Sequence, residues 1–93
     1  MKRKQSFNEN IQYYRGIPLQ LIIRYDYHTK AAKRFVLNGT NQNVWIPNKY
    51  LSVDGTIDPS ADLDFVFNTT HAKNKILISC MRFIGGMYVP RQV

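Results

Sequence analysis

The stretch RFVLNGTNQNVWIPNKYL, residues 34–51, decides the fold that this chain can adopt. Apolar residues flank Asn38 and Gly39, and this dipeptide is the strongest short signal for a β-hairpin, because a type I′ turn needs positive φ at both central positions. The second strand would begin at Thr40, or after a longer loop that runs through Gln42. In either register, the pattern predicts two antiparallel strands near the middle of the chain.

The second strand of this hairpin should end at Pro47, which has no backbone N–H to donate to a ladder. One helical turn is predicted for residues 48–51. Within the strand, Trp45 alternates with Val44 and Ile46, so the indole and the two aliphatic side chains point to opposite faces. Either Trp45 faces solvent or a second layer covers it, and the functional interpretation depends on which.

The N-terminal segment carries helix signals. Residues 1–5 are expected to form a flexible basic tail, because they have nothing to bury. Ser6 and Glu9 have the spacing of a capping box, and Gly16 can end a helix. These signals predict a short helix over residues 7–15.

Strands are predicted elsewhere from alternation and from β-prone composition. Residues 19–28 and 63–68 alternate between apolar and polar side chains. Residues 75–84 are β-rich and apolar, in a run too continuous for a strand with one solvent-facing side, and they suggest a central strand. A short edge strand is predicted at 87–89. Because the spacing leaves no long crossovers, the sheet should be antiparallel.

These elements predict an α+β fold that is mainly β. The short N-terminal helix would pack on a small antiparallel sheet of about five strands. We expect that sheet to be strongly bent or to form a partly open barrel, SH3-like or OB-like.

Length and charge limit the possible functions. The chain has 93 residues, which suffices for one small domain with a single core, expected at residues 6–93. Residues 1–53 hold nine basic and two acidic residues, whereas residues 54–93 hold four of each, so the net charge of +7 lies in the first part. This asymmetry favours a polyanionic partner, although net charge also serves solubility alone.

The single cysteine, Cys80, excludes an intramolecular disulfide framework. It lies in the apolar run ILISCM, where a buried and inert thiol is expected. No apolar run approaches the ~20 residues that a membrane span needs, and no apolar segment follows the basic N-terminus as it would in a signal peptide. We therefore expect a cytoplasmic protein that does not associate with membranes.

Arrangements typical of active sites are scarce. His28, His71 and Cys80 lack the spacing of metal ligands. Cys80 with either histidine could form a nucleophilic dyad, but a catalytic cysteine needs an open, electropositive setting. Asp62 and Asp64 alternate like paired carboxylates, yet no base accompanies them. We predict that the protein is not an enzyme and uses no metal or other cofactor.

Basic and aromatic residues concentrate around the hairpin. Proteins that bind single strands of nucleic acid combine such cations with aromatic rings on which bases stack. We therefore expect binding of single-stranded nucleic acid or RNA through a basic, aromatic face. The residues expected to form this face are Arg24, Lys30, Lys33, Arg34, Trp45, Lys49 and Tyr50. Tyr25 and Tyr27 could extend it or belong to the core.

The alternative is a protein-interaction or inhibitor module that acts on a host protein through the 34–51 hairpin and an exposed sheet edge. An exposed Trp and Tyr beside cations also have the composition of an interface hot spot. Phage and mobile-element genomes encode many proteins of this size, some of which inhibit host nucleases or polymerases. An open strand, such as 34–37 or 63–68, could also pair two copies into a homodimer.

Overall fold

The computed structural model describes residues 8–23, 27–28 and 30–91. The elements in these ranges are β1 Gln12–Tyr14, β2 Ile17–Leu21, β3 Ala32–Leu37, β4 Asn43–Pro47, a 3₁₀ turn Asn48–Tyr50, α1 Asp64–Phe67, α2 Thr70–Ile78, β5 Met81–Ile84 and β6 Met87–Pro90. An antiparallel sheet has the order β1-β2-β3-β4, and β5 and β6 form a separate two-stranded ribbon. The mainly β, antiparallel class is confirmed. The sheets are not closed into a barrel, and a likeness to SH3 or OB domains stays a prediction.

The central hairpin is confirmed, in the longer of the two registers. Asn38 and Gly39 have φ of 50° and 67°, and the N–H of Thr40 donates to the carbonyl oxygen of Leu37 at 3.0 Å. The N–H of Leu37 donates to the carbonyl oxygen of Gln42 at 2.8 Å, so strand pairing resumes only there. The Thr40 hydroxyl favours this loop because it also donates to the Leu37 carbonyl, at 2.6 Å.

The two strands of the hairpin have one buried face and one outer face. Phe35, Val44 and Ile46 are buried on the inner face, which α1, α2 and the ribbon cover. Trp45 points the other way and is 41% exposed, so the indole faces outward. As predicted, β4 ends at Pro47 and a 3₁₀ turn follows.

The helix predicted over residues 7–15 is wrong for the part of that range that the structure describes. β1 pairs with β2 there, and Arg15 and Gly16 form the turn between them with φ of 49° and 86°. The ring of Tyr14 packs on Phe67 at 5.4 Å between centroids. Strand pairing and the burial of the Tyr14 ring therefore outweigh the local helix-capping signal. Tyr also has a higher propensity for strands than for helices.

The strand predicted at 63–68 is also wrong, because α1 occupies most of it. Leu63 and Phe67 are fully buried and four residues apart, as on one face of a helix. Phe65, which alternation places with them, is 54% exposed. The apolar residues of this segment fit both the alternation of a strand and the spacing of a helix. Only packing against the rest of the fold decides between the two structures.

Residues 75–84, predicted as one central strand, are divided between α2 and β5. Thr69 caps α2, since its hydroxyl accepts a hydrogen bond from the N–H of Ala72 at 3.0 Å. Ala72 and Ile76, four residues apart, are the buried side chains of this helix. Cys80 has φ of 66° and reverses the chain into β5. It is exposed, which corrects the expectation of a buried thiol.

The predicted strand at 19–28 is shorter than expected, because β2 ends at Leu21. Tyr27 returns to the sheet and is buried, which assigns it to the core. Arg24 and Tyr25 lie outside the described residues, as does the predicted basic tail at 1–5. The short strand predicted at 87–89 is confirmed within β6.

The edges predicted for dimerisation are not edges. β3, which contains residues 34–37, is bonded to β2 on one side and to β4 on the other. Residues 63–68 are largely helical. Neither segment can therefore accept a second chain by strand addition.

Among the described residues, no helix is long and apolar enough to cross a membrane.

Candidate nucleic-acid interface

Arg34 and Trp45 lie directly opposite each other on β3 and β4, on the outer face of the sheet. The guanidinium carbon of Arg34 is 5.9 Å from the centre of the indole, within the range of a cation–π contact. The Nε of Arg34 donates to Oδ1 of Asn43 at 2.9 Å, so the guanidinium is held along the sheet. The hairpin thus carries a cation and an aromatic ring in a fixed relationship.

Tyr27 supports this pair from the end of the sheet. Its ring meets that of Trp45 edge-on, at 6.4 Å between centroids and 81° between planes. Its hydroxyl donates to the carbonyl oxygen of Ile22 at 2.5 Å and accepts from the N–H of Arg34 at 3.3 Å. Tyr27 therefore restricts the indole and the backbone of Arg34, while Asn43 holds the guanidinium, so the Arg34–Trp45 pair is preorganised.

Lys33 points to the opposite side of β3 from Arg34, since side chains alternate along a strand. It is 7% exposed, its Nζ donates to Oδ1 of Asn48 at 3.0 Å, and it lies 5.8 Å from the centre of the Tyr27 ring. The Nδ2 of Asn48 in turn donates to the carbonyl oxygen of Lys30 at 2.8 Å. Asn48 therefore fastens the segment before β3 to the 3₁₀ turn after β4.

A cleft with a volume of about 280 Å³ opens beside Lys33. The residues that line it are Tyr27, His28, Lys33, Asn48, Leu51, Ser52 and Val53. Amide, hydroxyl and ammonium donors are the groups that bind phosphate oxygens in proteins. None of the described residues that line the cleft is acidic. The composition of the cleft therefore suits an anion.

Lys49 and Tyr50 belong to the 3₁₀ turn that follows β4. The ammonium group of Lys49 is 5.3 Å from the centre of the Tyr50 ring. That ring packs on Phe65 of α1 at 5.5 Å and is partly buried against the core. Lys49 is exposed. Tyr50 thus supports the turn from the helix side, and it does not share the outer face with Trp45.

The outer face has a second exposed aromatic residue that the sequence reasoning missed. Tyr13 of β1 is 68% exposed and lies opposite Pro18 of β2, whose neighbours Ile17 and Leu19 face the core. A cleft of about 270 Å³ beside it is formed partly by Ile11. Tyr13 was missed because its segment was read as a helix. The strand alternation of Tyr13 with Tyr14 was the signal that could have revealed it.

Asp64, the last residue of the acidic segment 54–64, lies in α1 on the helix side of the sheet. Oδ1 of Asp64 is 2.8 Å from Nε of Arg15 and forms the one ion pair found among the described residues. It also accepts a hydrogen bond from the hydroxyl of Tyr14 at 2.6 Å. The Arg15 guanidinium, with this second bond, holds the pKa of Asp64 below its ordinary value. The carboxylate of Asp64 is therefore engaged away from the outer face.

Of the seven predicted residues, the structure brings Lys30 and Lys33 together around Asn48, and it pairs Arg34 with Trp45. The ring of Tyr50 is turned toward α1, and Arg24 lies outside the described residues. Within the described ranges, no three His, Cys, Asp or Glu side chains are grouped as metal ligands.

Comparisons with protein-family models, with curated proteins and with solved structures find no match for this chain.

Proposed function

We propose that this protein binds single-stranded nucleic acid, RNA or DNA, on the outer face of its four-stranded sheet, and that it catalyses no reaction. The observation that carries this proposal is the Arg34–Trp45 pair, a fixed cation beside a partly exposed indole. Because the indole is 41% exposed, part of the ring is accessible to an unstacked base. A base stacked on an aromatic side chain contributes about 1–3 kcal/mol.

Tyr13 extends the proposed platform to the far edge of the same face. β1 and β4 are three strand spacings apart, or about 14 Å, so the two rings lie too far apart for adjacent stacked bases. A strand that crosses the sheet would contact Trp45 at one end and Tyr13 at the other. Stacking of this kind tolerates any base, so we expect little sequence preference.

Phosphates would be bound at the end of this face by Lys30 and Lys49 and, around the edge of the sheet, in the cleft beside the inward-pointing Lys33. Lys30 and Lys49 are exposed, and Lys33 lies in the cleft whose lining suits an anion. Each phosphate neutralised by a Lys or Arg releases counterions, which makes binding dependent on salt. The ion pair of Asp64 with Arg15 on the helix side also supports an outer face that is open to a polyanion.

Fluorescence anisotropy with a labelled single strand of about twelve nucleotides, as oligo(dT) and oligo(U), tests the proposal. We expect binding at about 50 mM salt that weakens strongly by about 200 mM. Trp45→Ala should weaken binding about tenfold. The emission of Trp45, the only tryptophan, should change when the strand binds.

Arg34→Gln and Arg82→Gln form a matched pair, since both remove one positive charge. Arg82 is exposed on β5, away from the proposed face. Arg34→Gln should weaken binding more than Arg82→Gln. Equal losses would mean that only net charge matters. Absence of binding at low salt, or binding that ignores salt, would contradict the proposal.

A further inference from the structure

The ribbon and α2 carry an exposed apolar surface that the proposed nucleic-acid face does not use. Every residue from 82 to 87 is exposed. The large apolar side chains that are about half exposed or more in this part of the chain are Leu77, Ile78, Phe83, Ile84 and Met87. Apolar side chains concentrated in this way on a small domain mark interaction sites more often than chance exposure does.

A groove lies between α2 and the ribbon. Its volume is about 220 Å³, and the residues that line it are Asn68, Lys73, Leu77, Phe83 and Tyr88. The rings of Phe83 and Tyr88 are 4.8 Å apart and form one wall. The groove is therefore concave and mainly apolar, and one large side chain of a partner would fit in it.

The edge of β5 beside this groove is open to strand addition. Ile84 and Met87 close the ribbon around the two-residue turn of Gly85 and Gly86, so they form a hydrogen-bonded pair. The next residue along β5, Phe83, then directs its N–H and carbonyl away from β6. No described group bonds to them. An extended segment could pair with this edge.

The charged side chains around the groove are mainly basic. The carboxylate of Asp64 lies in an adjoining cleft, which Phe83 and Tyr88 also line, and it is paired there with Arg15. The last acidic residue of the chain is Asp64, and residues 65–93 contain none. The basic residues of that part are Lys73, Lys75, Arg82 and Arg91. Lys73 lines the groove itself, and Arg82 precedes Phe83 on β5. A partner that covers this surface should therefore be acidic, because like charges across an interface weaken binding.

We propose that this surface binds an acidic segment of a partner protein in extended conformation. The segment adds to the edge of β5 at Phe83 and inserts one apolar side chain into the groove. Acidic residues that alternate with this apolar one lie on the other face of the added strand, on the same side of the ribbon as Arg82. This mode combines main-chain hydrogen bonds with a pocket for a side chain. A lipid surface would leave the backbone groups of β5 without partners, and it would not fill a concave groove.

Fluorescence anisotropy with three labelled ten-residue peptides, in which Glu alternates with Val, Leu or Phe, tests this proposal. At least one should bind, whereas the versions with Lys for Glu or Ser for the apolar residues should not. The backbone nitrogens of a peptide that binds can be N-methylated at every second residue, in either of two alternating sets. One set should abolish binding and the other should spare it, because only every second N–H of an added strand bonds to the edge of β5. Failure of all three acidic peptides would overturn the proposal.

Phe83→Ser and Phe65→Ser provide a matched pair of variants. The two rings are similarly exposed, 56% and 54%, and each contacts one tyrosine ring. Only Phe83 lines the groove. Phe83→Ser should weaken peptide binding about tenfold or more, whereas Phe65→Ser should change it by less than about twofold. Equal effects of the two substitutions would overturn the proposal.

Vesicles of phosphatidylcholine with phosphatidylserine, and labelled oligo(dT), distinguish other partners. If vesicles bind to the wild type and not to Phe83→Ser while the peptides fail, the surface is a membrane contact and the proposal is wrong. If oligo(dT) loses binding to Phe83→Ser while the peptides fail, the surface binds nucleic acid and the proposal is again wrong. Phe83→Ser should leave the proposed binding at Trp45 unchanged, so the two proposals can fail separately.

Discussion

The carbonyl oxygen of Arg15 accepts a hydrogen bond from the N–H of Tyr88 at 2.6 Å, and this bond joins the first turn of the sheet to β6. Gly16 follows Arg15 directly in the turn. A Cβ at this glycine would lie 2.2 Å from the carbonyl oxygen of Tyr88. The ribbon can therefore approach the sheet only because residue 16 has no side chain.

Gly16→Ala should destabilise the protein much more than Gly86→Ala. Both glycines have a φ near +87°, so an alanine costs about 1–2 kcal/mol at either position. Only Gly16 meets backbone atoms, whereas nothing lies within 4 Å of a Cβ at Gly86. We expect an additional loss of about 1–3 kcal/mol for Gly16→Ala in urea unfolding. Equal losses would contradict the close approach of β6.

Asp64→Asn should change how the stability depends on pH. The folded pKa of Asp64 lies below its ordinary value of 3.8. Its ion pair with Arg15 therefore stabilises the protein above the unfolded pKa, and the effect is lost as the pH falls through the folded one. The wild type should lose more stability than Asp64→Asn on acidification from pH 7 to below that range. Both groups are exposed, so the difference should be small.

Urea unfolding of the two proteins at pH 7, 5 and 3 measures this effect. Asp54 and Asp58 also have lowered pKa values, because they accept hydrogen bonds from Thr56 and Ser60. They remain in both proteins and contribute equally to acid sensitivity. Parallel curves for wild type and Asp64→Asn would mean that the Arg15 contact does not stabilise the fold.

Thr69→Ala should lower the free energy of unfolding by about 1 kcal/mol, because the hydroxyl of Thr69 caps α2 by accepting a hydrogen bond from the N–H of Ala72. Thr70→Ala is the matched control, since Thr70 is exposed and is the first residue of the helix. Circular dichroism during urea unfolding compares the two. A larger loss from Thr70→Ala would contradict the cap.

Trp45 should be accessible to solvent. Its emission should be quenched by iodide, and Trp45→Ala should cost less stability than Phe35→Ala, for which we expect about 3–5 kcal/mol. Phe35 is fully buried, whereas Trp45 is 41% exposed. An unquenched, blue-shifted indole would show that Trp45 is covered, and it would remove the proposed platform.

Local signals predicted the hairpin well. Asn38 and Gly39 determine a turn, and Pro47 ends a strand, whatever the rest of the chain does. The outward direction of Trp45 follows from its buried neighbours, Val44 and Ile46. Sequence alone left this open, because it does not show whether a second layer covers the strand.

The elements that sequence reasoning missed depend on tertiary packing. Ile76 and Leu77 are apolar, and Ile favours strands, yet both residues lie in α2. Burial of Ala72 and Ile76, four residues apart, favours the helix there. The N-terminal segment has helix-capping residues, but its pairing with β2 prevails. For the site, composition predicted the basic and aromatic residues, whereas register decided that Lys33 points inward and Arg34 outward.

The four strands of the sheet follow one another in sequence, so its hydrogen bonds join residues that are near in the chain. Contacts of this kind close early in folding, whereas the bond between Tyr88 and Arg15 spans most of the sequence. We expect the sheet to form in the transition state and the ribbon to dock afterwards. Substitutions that shorten a side chain of β6, such as Val89→Ala, should then increase the unfolding rate and leave the folding rate nearly unchanged. Stopped-flow kinetics would measure both rates. A slower folding rate in that variant would place the ribbon in the folding nucleus.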